Sequence, residues 1–295
     1  MKYIKNRLNN WVNGKINRIT YLNRAQYLND CVLHCNETGI TDEQHTENEI
    51  IVSLTTYRRR LYDVYLAVES IMQQTMKPNR IILWLGDELK DTDIPLTLCK
   101  QQKRGLEIRY CKDIGSYKKL IPALLAFPSA AIITVDDDLL YSFDLVENLV
   151  NAYKKNPFLI NCFRMHRMKL RKDNTLEKYQ KWILNCEFLD ISSLNFPTGV
   201  GGVLYPPHCF SEEVFNEKVF LDICRHADDV WFKAMALLNN VLSQKVYTHN
   251  KNGNDFLSNT DIQDTALYRI NKSMNDVQLK AVFDKYNLYE KLVLS

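Results

Sequence analysis

Ala130-Ala131-Ile132-Ile133-Thr134-Val135-Asp136-Asp137-Asp138 is the stretch that decides how the rest of the chain is read. An almost continuous apolar run of this length marks a strand covered on both faces, which belongs at the centre of a sheet. Three carboxylates follow at once. Consecutive acids at the end of a buried strand repel one another and lose hydration, so a fold that keeps them there has reason to supply a cation. Hard oxygen ligands suit Mg²⁺ or Mn²⁺, which bind through one or two carboxylates and complete their shell with phosphate oxygens. Taken alone, the run also reads as the start of a loop that caps a helix beginning near Phe143.

Upstream, strands and amphipathic helices alternate. The strands are Ile50 to Leu54, Arg80 to Leu85 and Leu106 to Tyr110, with Ala130 to Val135 as the fourth. Helical spacing covers Leu61 to Gln74, Pro95 to Arg104 and Lys118 to Phe127. This alternation predicts an α/β fold with a mostly parallel central sheet flanked by helices. Right-handed crossovers bring all the strand ends to one edge, where open α/β sheets bind ligands. Thr55, Tyr57, Asp87, Asp113 and Asp136 to Asp138 would converge there, with Lys118 or Lys119, at the start of the next helix, as a point charge for phosphate.

Downstream the pattern is mixed. A helix is expected over Leu145 to Lys155, an extended piece over Phe158 to Met165, a glycine-rich turn over Thr198 to Gly202 and a helix over Asp228 to Leu238. Three glycines in four positions let backbone approach a ligand or turn sharply. In Arg225-His226-Ala227-Asp228-Asp229, Asp228 reads as the N-cap of the following helix and Asp229 as a first-turn acid favoured by the macrodipole. A strand at Lys245 to Thr248, an irregular stretch from Asn250 to Asp264 and a terminal helix over Asn275 to Leu294 complete the reading.

The chain has 295 residues, 46% of them hydrophobic and 25% charged, with a net charge of +3. Those values fit a compact globule with a sizeable core and exclude a disordered or collagenous chain. No stretch is apolar for long enough to span a bilayer, and the charge is too small to indicate nucleic acid. The eight cysteines are irregularly spaced and read as reduced thiols of a cytoplasmic protein, with Cys31, His34 and Cys35 lacking a second pair at zinc-site spacing. The first 29 residues carry Lys2, Lys5, Arg7, Lys15, Arg18 and Arg24 and no acid. Interleaved with apolar residues, that segment reads either as an amphipathic helix on an anionic membrane surface or as a helix packed on the body with a solvated basic face. Three regions follow: residues 1–48 as a basic helical extension and linker, 49–250 as the catalytic domain with a nucleotide-binding half at 49–141 and an acceptor-binding half at 142–250, and 251–295 as an irregular segment and C-terminal helix.

Val135-Asp136-Asp137-Asp138-Leu139-Leu140-Tyr141, at the end of a fourth strand, resembles the Asp-x-Asp motif of GT-A glycosyltransferases in its family-2-like form. Thr55-Thr56-Tyr57-Arg58-Arg59-Arg60 is similar to the first nucleotide-binding loop of such enzymes, and Ser70 to Thr75 to the helix end that follows it. The likeness spans roughly residues 50–238. It implies a GT-A, Rossmann-like sheet with extra N- and C-terminal helices and a Mn²⁺ or Mg²⁺ cofactor. It further implies that Thr55 and Tyr57 touch the nucleoside, Asp87 the base or ribose, and Asp136 the ribose or metal, with Asp138 the principal metal ligand and Asp137 a spacer. Asp113 and Lys118 join the donor site, Gly201 and Gly202 line the sugar or acceptor pocket, Asp228 binds the acceptor, and Asp229 is the general base of an inverting transfer. His249 would be a third metal ligand. The activity so implied is transfer of a sugar from a nucleoside diphosphate, UDP above all, to a carbohydrate or lipid-linked acceptor during assembly of bacterial surface polysaccharide, in the cytoplasm or at the inner face of the membrane. Two alternatives stand beside it: a nucleotidyltransferase making nucleotide sugars, and an inactive carbohydrate-binding subunit. The glycine-free loop Thr55 to Arg60 departs from the glycine-rich loop usual in the former.

Overall fold

The computed structural model describes residues 2–248, 255–258 and 267–293. Its centre is a seven-stranded sheet. In chain order the strands of that sheet are β1 (Ile50–Thr55), β2 (Arg80–Gly86), β3 (Leu106–Cys111), β4 (Ala131–Thr134), β6 (Ile160–Cys162), β9 (Val203–Tyr205) and β10 (Ser243–Lys245). They lie in the order β10-β6-β9-β4-β1-β2-β3, all parallel to their neighbours except β9, which runs antiparallel between β4 and β6. The fold is a mixed α/β, Rossmann-like sheet flanked by helices.

Period-two burial explains why it forms. On β1, Ile50, Val52 and Leu54 join one core while Ile51 joins the other; on β2, Ile81, Leu83 and Leu85 face the first core and Ile82 and Trp84 the second. Both faces are therefore roofed by helices, as continuous apolar strands require. α2 (Val64–Met72), α3 (Leu96–Gln102) and α5 (Leu145–Lys155) supply one layer. α4 (Ile121–Ala126), α6 (Glu217–Ile223), α7 (Asp228–Leu238) and α8 (Leu267–Tyr286) supply the other. The polar Ser53 is accommodated inside by accepting from Trp84 Nε1 at 3.1 Å and donating to the Lys119 carbonyl at 2.6 Å. Two small antiparallel pairs complete the strands: β5 (Leu139–Tyr141) with β11 (Phe256–Ser258), and β7 (Met165–Arg167) with β8 (Asn195–Pro197).

The extra terminal helices are present. α1 (Lys2–His34) lays Tyr21 and Leu28 against Leu140 and is tied down where Tyr65 donates to Asn29 and Lys100 to the Leu33 carbonyl. At the other end, α8 buries Leu279, Val282 and Phe283 beside α7. The helix expected over Asn275 to Leu294 is broken there: Asn287 takes the left-handed conformation, φ 48°, that ends a helix, and α9 (Tyr289–Val293) restarts after it.

Other boundaries move for local reasons. The helix expected from Leu61 begins as a 3-10 turn over Arg58–Tyr62. The one expected from Lys118 begins as a 3-10 turn over Gly115–Lys119, with α4 following behind Pro122. The helix expected over Leu145 to Lys155 is α5, and a short strand, β5, separates it from the acidic run. β10 lies at Ser243–Lys245 and shares only Lys245 with the span Lys245 to Thr248 expected from sequence. All eight cysteines are free thiols. No described helix is long and apolar enough to cross a membrane.

Candidate functional site

The carboxyl ends of β1, β2, β3 and β4 open on one edge, and the charged residues after them meet there. Asp136, Asp137 and Asp138 form the tight link from β4 to β5. The Asp136 backbone N–H donates to Tyr141 Oη at 2.7 Å, which fixes the turn from within. Each carboxylate then has its own surroundings. Asp137 is buried, accepts from Thr56 Oγ1 at 2.7 Å and pairs with Arg60 Nη1 at 2.6 Å. Asp138 is partly open and pairs with Arg60 Nη2 at 3.1 Å. Asp136 pairs with Lys119 Nζ at 3.0 Å.

Arg60 bridges two acids because the 3-10 turn after β1 folds the Arg58-Arg59-Arg60 run back over the strand ends. Arg58 adopts φ 46° to make that turn, an unusual conformation for a residue with a side chain. The guanidinium also sits 5.4 Å from the centre of the Tyr57 ring. Neither Thr56 nor Arg60 is singled out by the sequence. Their signal is positional: the second and last residues of the polar loop that follows the first strand.

Lys119 is the second bridge. Its ammonium reaches Asp228 Oδ2 at 3.0 Å as well as Asp136, so it ties the end of β4 to the first turn of α7. Burial works against its charge, but Asp136, Asp228 and Asp229 outweigh it and hold its pKa well above the ordinary lysine value. Asp228 is buried, while Asp229 is only partly buried and accepts from the Gly199 N–H at 3.0 Å. Desolvation, reinforced by the neighbouring Asp228 charge, pushes its pKa up to about 7. Asp138 is raised to about 6, first by desolvation and then by Asp136, with Arg60 opposing. Asp137 is also raised by burial, against the pull of Arg60 and Thr56.

The remaining residues named from sequence are spread along the same edge or lie apart. Lys118 is buried against Asp113, which accepts from the Gly115 N–H at 3.1 Å; burial raises the Asp113 pKa, but these donors bring it below the usual carboxylate value. Asp87 is exposed at the end of β2 and pairs with Lys90 at 2.9 Å. Thr55 donates its hydroxyl to the Trp84 carbonyl at 2.8 Å and so fastens β1 to β2. The ring of Tyr57 is exposed.

The glycine that abuts the charged cluster is Gly199. A Cβ there would lie 2.7 Å from Lys119 Nζ and 3.2 Å from Asp229 Oδ1. Gly201 instead meets Arg164, and Gly202, at φ 90°, meets Leu145 in the core. Asp228 is not the N-cap: Ala227 holds that position, and both acids sit in the first turn of α7 without a capping side chain. Asp228 is turned toward Lys119 and Asp229 toward Gly199. His249 lies outside the described residues.

Among the described residues no three metal-capable side chains converge on one point. Two carboxylates with phosphate oxygens are nonetheless a sufficient set for Mg²⁺. Asp136 and Asp138 are the partly open members of the run. These two residues fit such an ion. Tyr21 of α1 and Leu140 close the back of this cluster around a recess of about 20 Å³ shared with Arg60 and Asp138.

No protein-family model and no curated protein matches the chain. Solved structures do. It is similar to 4-diphosphocytidyl-2C-methyl-D-erythritolsynthase from Anaerococcus prevotii DSM 20548, with 13% identity over 77% of this chain and 96% of that one and a TM-score of 0.45. It is also similar to CMP:2-keto-3-deoxy-manno-octonic acid synthetase complexed with CTP, with 8% identity over 69% and 90% of the two chains and a TM-score of 0.39. These are likenesses of fold. Neither is a glycosyltransferase, so the sugar transfer expected from the motif is not carried further.

Proposed function

We propose that the chain is a nucleotidyltransferase that joins the nucleoside monophosphate unit of a nucleoside triphosphate to an anionic sugar and releases pyrophosphate. An oxygen of the sugar's phosphate attacks the α-phosphorus; the new P–O bond forms as the bond from the α-phosphorus to the bridging oxygen breaks, and the electron pair leaves with pyrophosphate.

The observation that carries this reading is the Arg58-Arg59-Arg60 turn folded over the strand ends, with Arg60 ion-paired to both Asp137 and Asp138. A triphosphate brings several negative charges to a sheet edge, and this chain places the Arg60 guanidinium there on a loop without the usual glycines. Arg60 is preorganised by its carboxylates and can turn one fork toward phosphate, which suits its planar, bidentate donors. Lys119 lies on the other side of Asp136 as a point charge for the leaving pyrophosphate.

Mg²⁺ or Mn²⁺ held by Asp136 and Asp138 would neutralise phosphate charge and orient the α-phosphate. An anionic acceptor is already deprotonated at neutral pH, so the reaction needs no general base. Asp228 and Asp229 then serve a different end: they hold Lys119 and the Gly199 backbone at the junction of the two halves.

The test is product formation. Purified protein with Mg²⁺, each of the four ribonucleoside triphosphates and a panel of sugar 1-phosphates should release pyrophosphate in one combination and yield a nucleotide sugar by mass spectrometry. Arg60→Ala should lower the rate at least about a hundredfold, the scale of losing one preorganised charge donor. Absence of pyrophosphate across the whole panel would overturn the reading.

A further inference from the structure

α1 carries two apolar faces, and the body uses one of them. At 3.6 residues per turn, Tyr21, Ala25, Leu28 and Val32 share one side of the helix, and this side is packed: Tyr21, Leu28 and Val32 are buried and Ala25 rests on the same cluster. Val12, Ile16 and Ile19, spaced by four and three residues, share the opposite side with Leu22 on its flank. They are 39%, 54%, 59% and 55% exposed. A helix that only docks on a globular body carries polar residues on its outer side.

Charge names the occupant. The same segment has six Lys and Arg and no acid before Asp30. Arg24 turns inward over the Phe143 ring. The other five precede Ile19; a second copy of the helix would bring these like charges together, whereas an anionic lipid surface attracts them. Lysine and arginine stems beside an apolar stripe can lie along it with their heads in the headgroup layer. We infer that the outer face of α1 rests on an anionic lipid surface, with Val12, Ile16, Ile19 and Leu22 entering the boundary between headgroups and acyl chains. Docking by the inner face fixes the body to the helix, so the membrane holds the enzyme through a packed element.

The test is vesicle flotation of the full chain, with Ile16→Asp/Ile19→Asp as the variant; both positions are exposed and outside the nucleotide site. The wild type should float with phosphatidylcholine vesicles containing phosphatidylglycerol and stay down with phosphatidylcholine alone. High salt should weaken recovery, and the double variant should lose roughly tenfold or more in vesicle affinity with an unchanged melting temperature. Equal recovery of variant and wild type, no flotation of the wild type, or a wild-type dimer in light scattering that the variant dissociates would each overturn the proposal. Nucleotide binding measured on the same samples reports on the active site separately, so loss of one reading leaves the other intact.

Discussion

Lys119 Nζ lies 3.0 Å from Asp228 Oδ2, and both side chains are almost wholly buried. A residue at the carboxyl-end edge of the sheet is thereby ion-paired to the first turn of a helix from the second half of the chain. Such a pair is costly to break from one side because the remaining charge has no water to turn to. Lys119→Met leaves three acids, Asp136, Asp228 and Asp229, facing one another. It should cost about 3–5 kcal/mol in urea unfolding at pH 7. A loss under about 1 kcal/mol would show that the pair is not structural.

Asp229 predicts a pH dependence of unusual sign. Its folded pKa is raised from the ordinary aspartate value of 3.8 to about 7, so between these values the folded chain holds a proton that the unfolded chain has released. Stability contributed by this group is therefore largest at low pH and falls as pH rises through that window, levelling off above about 7. Asp229→Asn keeps an oxygen for the Gly199 N–H and removes the titration. Thermal melts from pH 4 to 8 should show the variant gaining on the wild type by a few kcal/mol as pH rises. Parallel curves would remove Asp229 as the source.

Arg60 binds two carboxylates through different nitrogens. Lysine can replace its charge but not its fork. Arg60→Lys should restore most of the stability lost in Arg60→Ala while leaving triphosphate affinity at least about tenfold below wild type, measured by calorimetry. Full recovery of affinity by lysine would mean that charge alone is required.

Gly199 and Gly202 separate function from folding. At Gly199 the nearest atom to an added Cβ is the end of a flexible lysine, so Gly199→Ala should fold well and disturb the Lys119–Asp229 spacing, lowering turnover. At Gly202 the positive φ itself is strained for alanine, and Gly202→Ala should cost about 1 kcal/mol or more. Reversal of this order, with Gly199→Ala fully active, would place Gly199 outside the site.

The parallel strands and the gathering of their ends were legible because both follow from apolar runs: Ala130 to Val135 reads as a central strand, and right-handed crossovers do the rest. The order of the strands, with β9 antiparallel between β4 and β6, was not. The partners of the carboxylates were not legible. Arg60 sits in a basic loop that, read alone, looks like solvated surface; only the backbone turn at Arg58 brings it onto Asp137. Lys118 and Lys119 are adjacent and chemically alike, so sequence left the choice open, while the 3-10 turn sends one to Asp113 and the other to Asp136 and Asp228. The capping role expected of Asp228 failed because its buried lysine partner competes for the carboxylate. The Asp-x-Asp resemblance drew the activity toward sugar transfer because acids after a fourth strand suit any nucleotide-phosphate chemistry of this fold.

The central claim is that the arginine turn and its carboxylates hold a triphosphate. Isothermal titration of the full chain with nucleoside tri-, di- and monophosphates, with and without Mg²⁺, tests it most directly. The account predicts Mg²⁺-dependent binding of one nucleoside triphosphate at least about tenfold tighter than its diphosphate, with the preference abolished by Arg60→Ala. Equal or tighter binding of the diphosphate, unaffected by that substitution, would contradict it.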